Sequence, residues 1–273
     1  MLQNNVATNL LKKISRLKVL YTDVDNTFVH DGSLFRNANG YSLKNAKGIY
    51  RLLSAGVDVV MVSGREKNNM RETARLLGFQ NYIGNMGMEI VYEQGKEIVH
   101  NYCRAVKSGP ELKRWILSTG IAEALFERYP GKIRYYKPWS DNLETHLLMI
   151  GELDYSEAEA FCRSRFPELR FIDNGFTTPE KEFKNPHAYH IIPAGTGKRS
   201  AVAVDKQRRG LKTSELIAIG DSAEDLTLAA EVSVFFSVEP LDFAGTHNVV
   251  QVDNKDGHGF SRIVEMLVNS GVI

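Results

Sequence analysis

Short apolar runs alternate with amphipathic segments along the first part of the chain. Residues 18–22 form a run typical of a buried strand, and apolar positions on one side predict a helix from Ser42 to Gly56. A second strand of the same kind is expected at 57–62, and a second helix at 66–77. Strand, helix, strand and helix in this order predict a parallel sheet with right-handed crossovers.

The middle of the chain has a different pattern. Residues 132–137 and 144–150 alternate apolar and polar positions, as strands do in a sheet with one solvated face. Helical segments precede and follow them, so we expect an α+β domain at 95–187 that is inserted into the parallel-sheet pattern. Its large polar side chains belong either to a solvated face or to a surface that contacts substrate: Arg134, Tyr135, Tyr136, Lys137, Trp139 and His146.

The α/β pattern resumes near His190 and continues through helices expected at 199–208 and 260–268. The predicted fold class is therefore α/β, with a parallel sheet in a discontinuous core domain. That core comprises residues 1–94 and 188–273, on either side of the inserted domain.

Composition and charge exclude several classes of protein. The chain has 273 residues, of which 43% are hydrophobic, so it can bury a substantial core. A net charge of +1 provides no bulk field for nucleic acid or an anionic membrane. No apolar run has the length of a membrane span, and Met1–Leu17 resembles a short amphipathic helix more than a signal peptide, which favours a cytoplasmic protein. Cys103 and Cys162 are expected to be buried as small apolar residues.

Asp23 and Asp25 directly follow the first predicted strand. In an extended backbone, residues i and i+2 point to the same side, so both carboxylates would project together from the strand end. Two such charges beside an apolar core repel each other, unless a cation lies between them or one carboxyl keeps its proton. A strand that runs into an ordinary acidic turn is the alternative.

Three further strand ends carry polar side chains. Ser63 and Gly64 precede a helix and form either a helix cap or a site for an anion at the helix N-terminus. Lys198 follows a glycine-containing turn. Asp221 and Asp225 lie one helical turn apart, and they are either an N-cap with a carboxylate in the first turn or members of one site.

Two segments resemble binding motifs, but their residues do not match the motifs. A nucleotide P-loop would need Gly at the position of Ile192 and Ser or Thr at the position of Arg199. His187 and His190 have a spacing that suits a helix, whereas the residues around them favour a strand, so a zinc site is not expected.

The carboxyl ends of parallel strands meet at one edge of a sheet, where ligands of open α/β proteins bind. Carboxylates are hard oxygen ligands for Mg²⁺, and Ser and Lys side chains donate hydrogen bonds to phosphoryl oxygens. The set therefore predicts phosphoryl transfer. Its members are Asp23, Asp25, Ser63, Lys198, Asp221 and Asp225.

These motifs resemble, in order and spacing, those of the haloacid dehalogenase (HAD) superfamily of phosphohydrolases: Asp23-Val24-Asp25-Asn26-Thr27, Ser63, Lys198 and Gly220-Asp221-Ser222-x-x-Asp225. The resemblance implies a Rossmann-like core, with residues 95–187 as a C2-type cap. The placement of the cap is similar to the Cof-type or IIB branch, which includes sucrose-phosphate and mannosyl-3-phosphoglycerate phosphatases. It implies a Mg²⁺-dependent phosphatase of a small phosphorylated metabolite, with a sugar phosphate as one candidate. A phosphomutase and a non-catalytic ligand-binding protein remain as alternatives.

The resemblance also implies roles for the acidic residues. Asp23 would be the nucleophile that forms an aspartyl-phosphate, and Asp25 would be the general acid and base. Mg²⁺ would be held by the Asp23 carboxylate, the Asp25 main-chain carbonyl and Asp221. Ser222 and Asp225 would support the metal shell, and Asp225 would alternatively orient the catalytic lysine.

Further implied roles concern the phosphoryl group. Ser63, the Gly64 amide and Lys198 would bind its oxygens, and Thr27 would position the loop of the nucleophile. Glu224 stands where the family commonly has Asn, and two alternatives are open for it: a place in the metal site or a place in solvent.

Overall fold

A computed structural model of the protein describes residues 2–102, 108–177 and 179–273. Cys103 lies outside these residues, whereas Cys162 is buried. The strands are β1 (Val19–Thr22), β2 (Arg36–Asn37), β3 (Gly40–Tyr41), β4 (Asp58–Val62), β5 (Tyr82–Gly84), β6 (Glu89–Tyr92), β7 (Glu97–His100), β8 (Ile133–Tyr135), β9 (Leu147–Gly151), β10 (Leu169–Phe176), β11 (His187–Pro193), β12 (Leu216–Gly220), β13 (Val234–Ser237) and β14 (Val249–Gln251). The α-helices are α1 (Leu2–Leu11), α2 (Lys44–Ser54), α3 (Lys67–Leu77), α4 (Gly109–Ser118), α5 (Ile121–Arg128), α6 (Tyr155–Arg165), α7 (Lys198–Arg208), α8 (Ala223–Leu226) and α9 (Gly259–Asn269). Short 3₁₀ turns occur at Asn85–Gly87, Glu93–Gly95, Thr213–Glu215 and Thr227–Ala230.

The larger sheet has eight strands in the order β14-β13-β12-β1-β4-β5-β6-β7. The six strands from β14 to β5 are parallel, and β6 and β7 extend the edge antiparallel. In the centre, Val19 of β1 pairs with Leu216 on one side and Asp58 on the other. This arrangement confirms the predicted Rossmann-like α/β core.

Both faces of the larger sheet are covered, which is why its central strands are apolar throughout. All four residues of β1 are buried. Leu20 packs into the apolar cluster that includes side chains of α2, α3 and α9, whereas Val19 and Tyr21 pack into the cluster on the other face, beside α7. The strand therefore has no freedom to slip by one residue, and its carboxyl end is fixed.

The smaller sheet is antiparallel, with the order β10-β11-β9-β8. Helices α4, α5 and α6 contribute to a separate apolar cluster with one of its faces. On β9 and β11, Leu148 pairs with His190, and both residues line a cleft that also contacts the larger sheet. The strands predicted at 132–137 and 144–150 correspond to β8 and β9. The solvated face expected for the second of them is wrong, since all five residues of β9 are buried.

Two strands lie near the predicted limits of the inserted domain. The short turn at Glu93–Gly95 returns the chain so that β7 pairs with β6 in the larger sheet. At the other limit, β11 pairs with β9 and β10 in the smaller sheet. The division at residues 95 and 187 stays a prediction, but two strands pair across it. β7 falls within the predicted inserted domain and pairs with the larger sheet, whereas residues 188–193 of β11 fall within the predicted core and pair with the smaller sheet.

None of the helices in the described part of the chain has the length and apolar character that crossing a bilayer demands.

Gly87 lies where two chain segments approach each other closely. Its φ is +86°, and a Cβ at this position would lie 2.2 Å from the carbonyl oxygen of Gly197 and 2.9 Å from the amide nitrogen of Lys198. Both neighbours are backbone atoms at the start of α7, so they cannot rotate away. The position of α7 therefore depends on a glycine at residue 87.

We expect Gly87→Ala to lower the free energy of unfolding by at least about 3 kcal/mol, because it adds a backbone clash to an unfavourable φ. Gly131→Ala is the matched control, since Gly131 also has a positive φ of +72° but nothing within 4 Å of its would-be Cβ. The free energy of unfolding of the control, measured by urea unfolding, should fall by only about 1 kcal/mol. Equal losses in the two variants would contradict the close approach at Gly87.

Candidate active site

Three acidic residues meet at the carboxyl end of the parallel strands. Asp23 follows β1 and donates its backbone N–H to the carbonyl oxygen of Ile219 in β12, at 2.9 Å. Asp221 follows β12, and Asp225 lies in α8 just beyond it. One carboxylate oxygen of each of these three acids lies within 4.8 Å of the other two. The structure therefore brings together side chains that are about two hundred positions apart in the chain.

Lys198 connects two of these acids. It is the first residue of α7 and is fully buried, and its Nζ donates hydrogen bonds to Asp23 Oδ1 at 2.8 Å and Asp225 Oδ1 at 2.6 Å. Burial alone would lower the pKa of this ammonium, but the two carboxylates raise the pKa well above its usual value. Lys198 is therefore held as a cation inside the protein.

Both carboxylate oxygens of Asp225 accept hydrogen bonds from neighbouring groups. Its Oδ2 accepts hydrogen bonds from Ser222 Oγ at 2.6 Å and from the backbone N–H groups of Ser222 and Asp221 at 3.1 and 3.3 Å. Its backbone N–H in turn donates to Ser222 Oγ, which completes a capping box at the start of α8. Both oxygens of Asp225 are engaged, so this residue is suited to orient Lys198.

Asp23 and Asp221 carry charge that the protein does not fully compensate. Burial raises the pKa of the Asp23 carboxyl to about 7, an effect that Lys198 opposes and Asp225 reinforces. Burial and the nearby Asp23 likewise raise the pKa of Asp221 well above its usual value. Among the described residues, no basic side chain forms an ion pair with Asp221. This surplus of buried carboxylate fits a divalent cation between Asp23 and Asp221.

Asp25 does not join the buried cluster through its side chain. Its carboxylate is half-exposed and accepts two hydrogen bonds from Arg65, from Nε at 2.8 Å and from Nη2 at 2.5 Å. Such bidentate pairs are strong and directional. Sequence reasoning missed Arg65, although a guanidinium directly after Ser63 and Gly64 at a strand end is a signal for binding of anions.

Ser63 and Gly64 line the same cleft as Asp23 and Asp221. Ser63 is buried, and its Oγ accepts a hydrogen bond from the backbone N–H of Arg65 at 3.2 Å. A Cβ on Gly64 would lie 2.9 Å from Cε1 of His190, so the imidazole packs directly on the glycine backbone. Thr27 is buried as well, and its Oγ1 has no hydrogen-bond partner within the described ranges.

A cleft of about 660 Å³ lies between the two sheets at this point. Asp23, Asp25 and Asp221 form part of its floor, and among the described lining residues Arg65 alone carries a permanent positive charge. The side chains of Trp139 and Phe176 line the cleft and are exposed. Residues of the smaller sheet and its loops that line it are Tyr136, Leu143, Leu148, Asn174, Thr177, Ala188 and His190.

The polar side chains predicted for the smaller sheet divide between two environments. Tyr136 and Trp139 line the cleft, as does His190. Arg134 instead pairs with two acids of the 180–182 segment, and Tyr135 packs edge-on against a phenylalanine of α5. Lys137 is mostly exposed, and His146 is buried behind the cleft wall.

Two environments were open for Glu224 from the sequence, the metal site and solvent, and the structure places it in neither. Its side chain is only 4% exposed, and its Oε2 accepts a hydrogen bond from Arg170 Nη2 at 2.8 Å. Arg170 belongs to β10 of the smaller sheet and also donates to the carbonyl oxygen of Thr196. Glu224 thus joins the smaller sheet to α8, and sequence reasoning missed this because its partner lies 54 positions away.

His187 and His190 lie on β11, as the strand pattern predicted, and they have different partners. His187 Nδ1 lies 2.6 Å from Asp173 Oδ2, whereas His190 Nδ1 lies 2.9 Å from His146 Nε2. Asp23, Asp221 and Asp225 form the cluster of potential metal ligands found among the described residues.

Comparison with known families gives a match to the haloacid dehalogenase-like hydrolases over residues 20–126, a range that includes Asp23, Asp25 and Ser63. A phosphoglycolate phosphatase of Pyrobaculum aerophilum is 26% identical over 255 residues, which cover 93% of this chain and 97% of the relative.

Two solved structures of phosphatases have a fold similar to that of this chain. A sugar phosphatase of HAD subclass IIB superposes with a TM-score of 0.64 at 16% identity and covers 94% of this chain and 100% of its own. The sucrose-phosphatase of Synechocystis sp. PCC6803 superposes with a TM-score of 0.64 at 14% identity, over 94% of this chain and 98% of its own. The resemblance predicted from the four motifs is in agreement with both comparisons.

Replacing Lys198 by Met should lower the free energy of unfolding by about 3–5 kcal/mol, because it leaves two buried carboxylates without their cation. Adding Asp225→Asn should recover part of this loss, since it removes one of the stranded charges. Lys18→Met is the control: Lys18 pairs with Glu215 at the surface, and its loss should be much smaller. Urea unfolding at neutral pH measures all three, and a Lys198 variant as stable as the Lys18 variant would refute the argument.

Proposed function

We propose that this chain, a haloacid dehalogenase-like hydrolase, is a Mg²⁺-dependent phosphatase that hydrolyses a small phosphorylated metabolite through an aspartyl-phosphate on Asp23. The observation that carries the proposal is the contact of Lys198 Nζ with Asp23 Oδ1 and Asp225 Oδ1. It holds one oxygen of the proposed nucleophile and leaves the other for attack, at the floor of an open cleft.

In the first step, Asp23 attacks the phosphorus atom, and the bond between phosphorus and the ester oxygen breaks. Asp25 gives its proton to the departing oxygen. The Ser63 hydroxyl, the Gly64 N–H group and Lys198 bind the phosphoryl oxygens. Thr27 supports the loop that carries both acids.

In the second step, water attacks the phosphorus atom of the aspartyl-phosphate while Asp25 accepts its proton. Inorganic phosphate leaves, and the Asp23 carboxylate is restored. Mg²⁺, held by the Asp23 carboxylate, the Asp25 carbonyl and Asp221, would offset the negative charge of the phosphoryl group. Ser222 and Asp225 support this arrangement by fixing the turn that carries Asp221.

Arg65 determines when Asp25 can act. Its guanidinium engages both oxygens of Asp25, and a carboxylate in that bidentate pair cannot deliver a proton. A phosphorylated substrate offers Arg65 another anionic acceptor within the same cleft. Binding of substrate would therefore release Asp25, and its half-exposed carboxylate would take up a proton from water before it acts as general acid.

The lining of the cleft favours a neutral, hydroxylated leaving group. Tyr136, Trp139 and Phe176 provide aromatic surface, and Asn174 has a buried Oδ1 without a hydrogen-bond partner among the described residues. Aromatic faces with a few polar atoms suit a sugar ring. A sugar phosphate is therefore the leading substrate class.

A small phosphorylated acid is the second candidate. The relative from Pyrobaculum aerophilum is named as a phosphoglycolate phosphatase, and the match covers nearly the whole length of both chains. Arg65 is the group in the cleft that could bind a substrate carboxylate.

The test is a screen of sugar phosphates and 2-phosphoglycolate for phosphate release in the presence of Mg²⁺. We expect Asp23→Asn to lower kcat at least about 10³-fold on every active substrate, because the nucleophile is lost. Asp242→Asn is the control, since Asp242 is exposed and lies outside the cleft, and its Oδ1 accepts a hydrogen bond from the backbone N–H of Ala244. Full activity of Asp23→Asn would refute the phosphatase mechanism, and isomerised sugar without free phosphate would favour a phosphomutase.

Stabilisation of the protein by Mg²⁺ should be larger at pH 8 than at pH 5.5. The pKa of Asp23 is raised to about 7 and that of Asp221 is also raised, so at pH 5.5 both carboxyls must lose a proton before they bind the cation. Without metal, their raised pKa values favour the folded state at acidic pH, and this contribution is lost as the pH rises through the folded-state values. Urea unfolding with 10 mM Mg²⁺ or with EDTA at both pH values measures the difference.

Asp221→Asn should remove most of the stabilisation by Mg²⁺ at pH 8. Asp256→Asn should keep it, since Asp256 pairs with Arg262 outside the acidic cluster. A Mg²⁺ effect that is independent of pH, or that survives in Asp221→Asn, would contradict the assigned metal position.

A further inference from the structure

Two buried histidines stand behind the wall of the cleft. His190 on β11 is only 3% exposed and His146, just before β9, is fully buried. Their rings are connected from His146 Nε2 to His190 Nδ1 at 2.9 Å, and His146 Nδ1 lies 3.0 Å from Thr145 Oγ1. The three side chains form one chain of hydrogen bonds that begins inside the smaller sheet's domain and ends at the cleft.

The His190 end of this series of hydrogen bonds faces the cleft. His190 is a lining residue, and its Nε2 has no hydrogen-bond partner among the described residues. Nε2 would lie 3.1 Å from a Cβ placed on Gly64, which fixes it beside the proposed phosphoryl-binding turn. A nearly buried imidazole nitrogen without a partner, in a cavity, is a group that awaits a ligand atom.

Burial favours the neutral form of both rings. Burial lowers the pKa of His146 to about 3, and burial together with His146 lowers that of His190 well below its usual value. A neutral imidazole has one donor and one acceptor nitrogen. The hydrogen bond to His146 therefore determines whether Nε2 of His190 donates or accepts, and the Thr145 hydroxyl can adapt to either direction.

We propose that His190 determines specificity by hydrogen bonding through Nε2 to a hydroxyl group of the leaving group, next to the phosphoryl group, and that His146 positions its ring. This assignment rests on the phosphatase function proposed above. A hydroxyl both donates and accepts, so it matches a neutral nitrogen whose direction is set by a relay. A phosphoryl or carboxylate oxygen would be better matched by a cation.

The test compares two substrates that share the phosphoryl group. One is the sugar phosphate with the highest kcat/KM in the screen, and the other is 4-nitrophenyl phosphate, whose leaving group has no additional hydroxyl. His190→Leu should lower kcat/KM about tenfold for the sugar phosphate, the worth of one neutral hydrogen bond, and by less than about twofold for the aryl phosphate. His190→Gln should recover part of the loss, because its amide reaches the position of Nε2.

The positioning role of His146 has its own variants. We expect smaller losses of kcat/KM for the sugar phosphate in His146→Leu and Thr145→Val than in His190→Leu, mainly because KM rises. The kcat/KM for the aryl phosphate should not change in either variant. His247→Gln is the control, since His247 is exposed and does not line the cleft. Equal losses on both substrates, or no loss on either, would overturn the proposal while leaving the phosphatase assignment intact.

A second measurement does not depend on the folding of the leucine variant. In Asp23→Asn protein with ¹⁵N-labelled histidine, the sugar phosphate should shift the Nε2 resonance of His190, and inorganic phosphate should not. An identical response to both ligands would place His190 at the phosphoryl group and refute its role in selecting the leaving group. Loss of all turnover in Asp23→Asn, with the wild type active, separately tests the proposed function.

Discussion

The burial of one ammonium group between two carboxylates is the constraint on which the site depends. The Lys198 ammonium is buried against Asp23 and Asp225, and removing any one of the three groups would leave a buried charge without its partner. The contact fixes the start of α7 against the ends of β1 and β12. The same three side chains therefore position α7 against the larger sheet and form the centre of the proposed active site.

Much of this could be predicted from the sequence because parallel strands align their carboxyl ends. Once the apolar runs at 18–22, 57–62 and 216–219 are recognised as buried strands, the polar residues that follow them must meet at one edge of the sheet. The order of the larger sheet confirms this, since β12, β1 and β4 are neighbours. Alternating polarity also located two strands of the smaller sheet, although all five residues of β9 are buried and its expected solvated face is not found.

The rest could not be predicted, because it consists of contacts between elements with no fixed spacing. Arg65 and Asp25 form an ion pair across 40 positions of the sequence, and the hydrogen bond between His190 and His146 spans 44. Neither follows from the periodicity of a strand or a helix. His190 was considered only for its spacing from His187, and a strand places residues three apart on opposite faces, so their partners differ.

The ion pair between Glu224 and Arg170 has a consequence for how the cleft admits and releases molecules. If the smaller sheet swung away from α8, a carboxylate that is only 4% exposed would lose its partner before water could replace it, at a cost of several kcal/mol. We therefore expect this edge to resist separation, so that any widening of the cleft keeps the contact between Glu224 and Arg170.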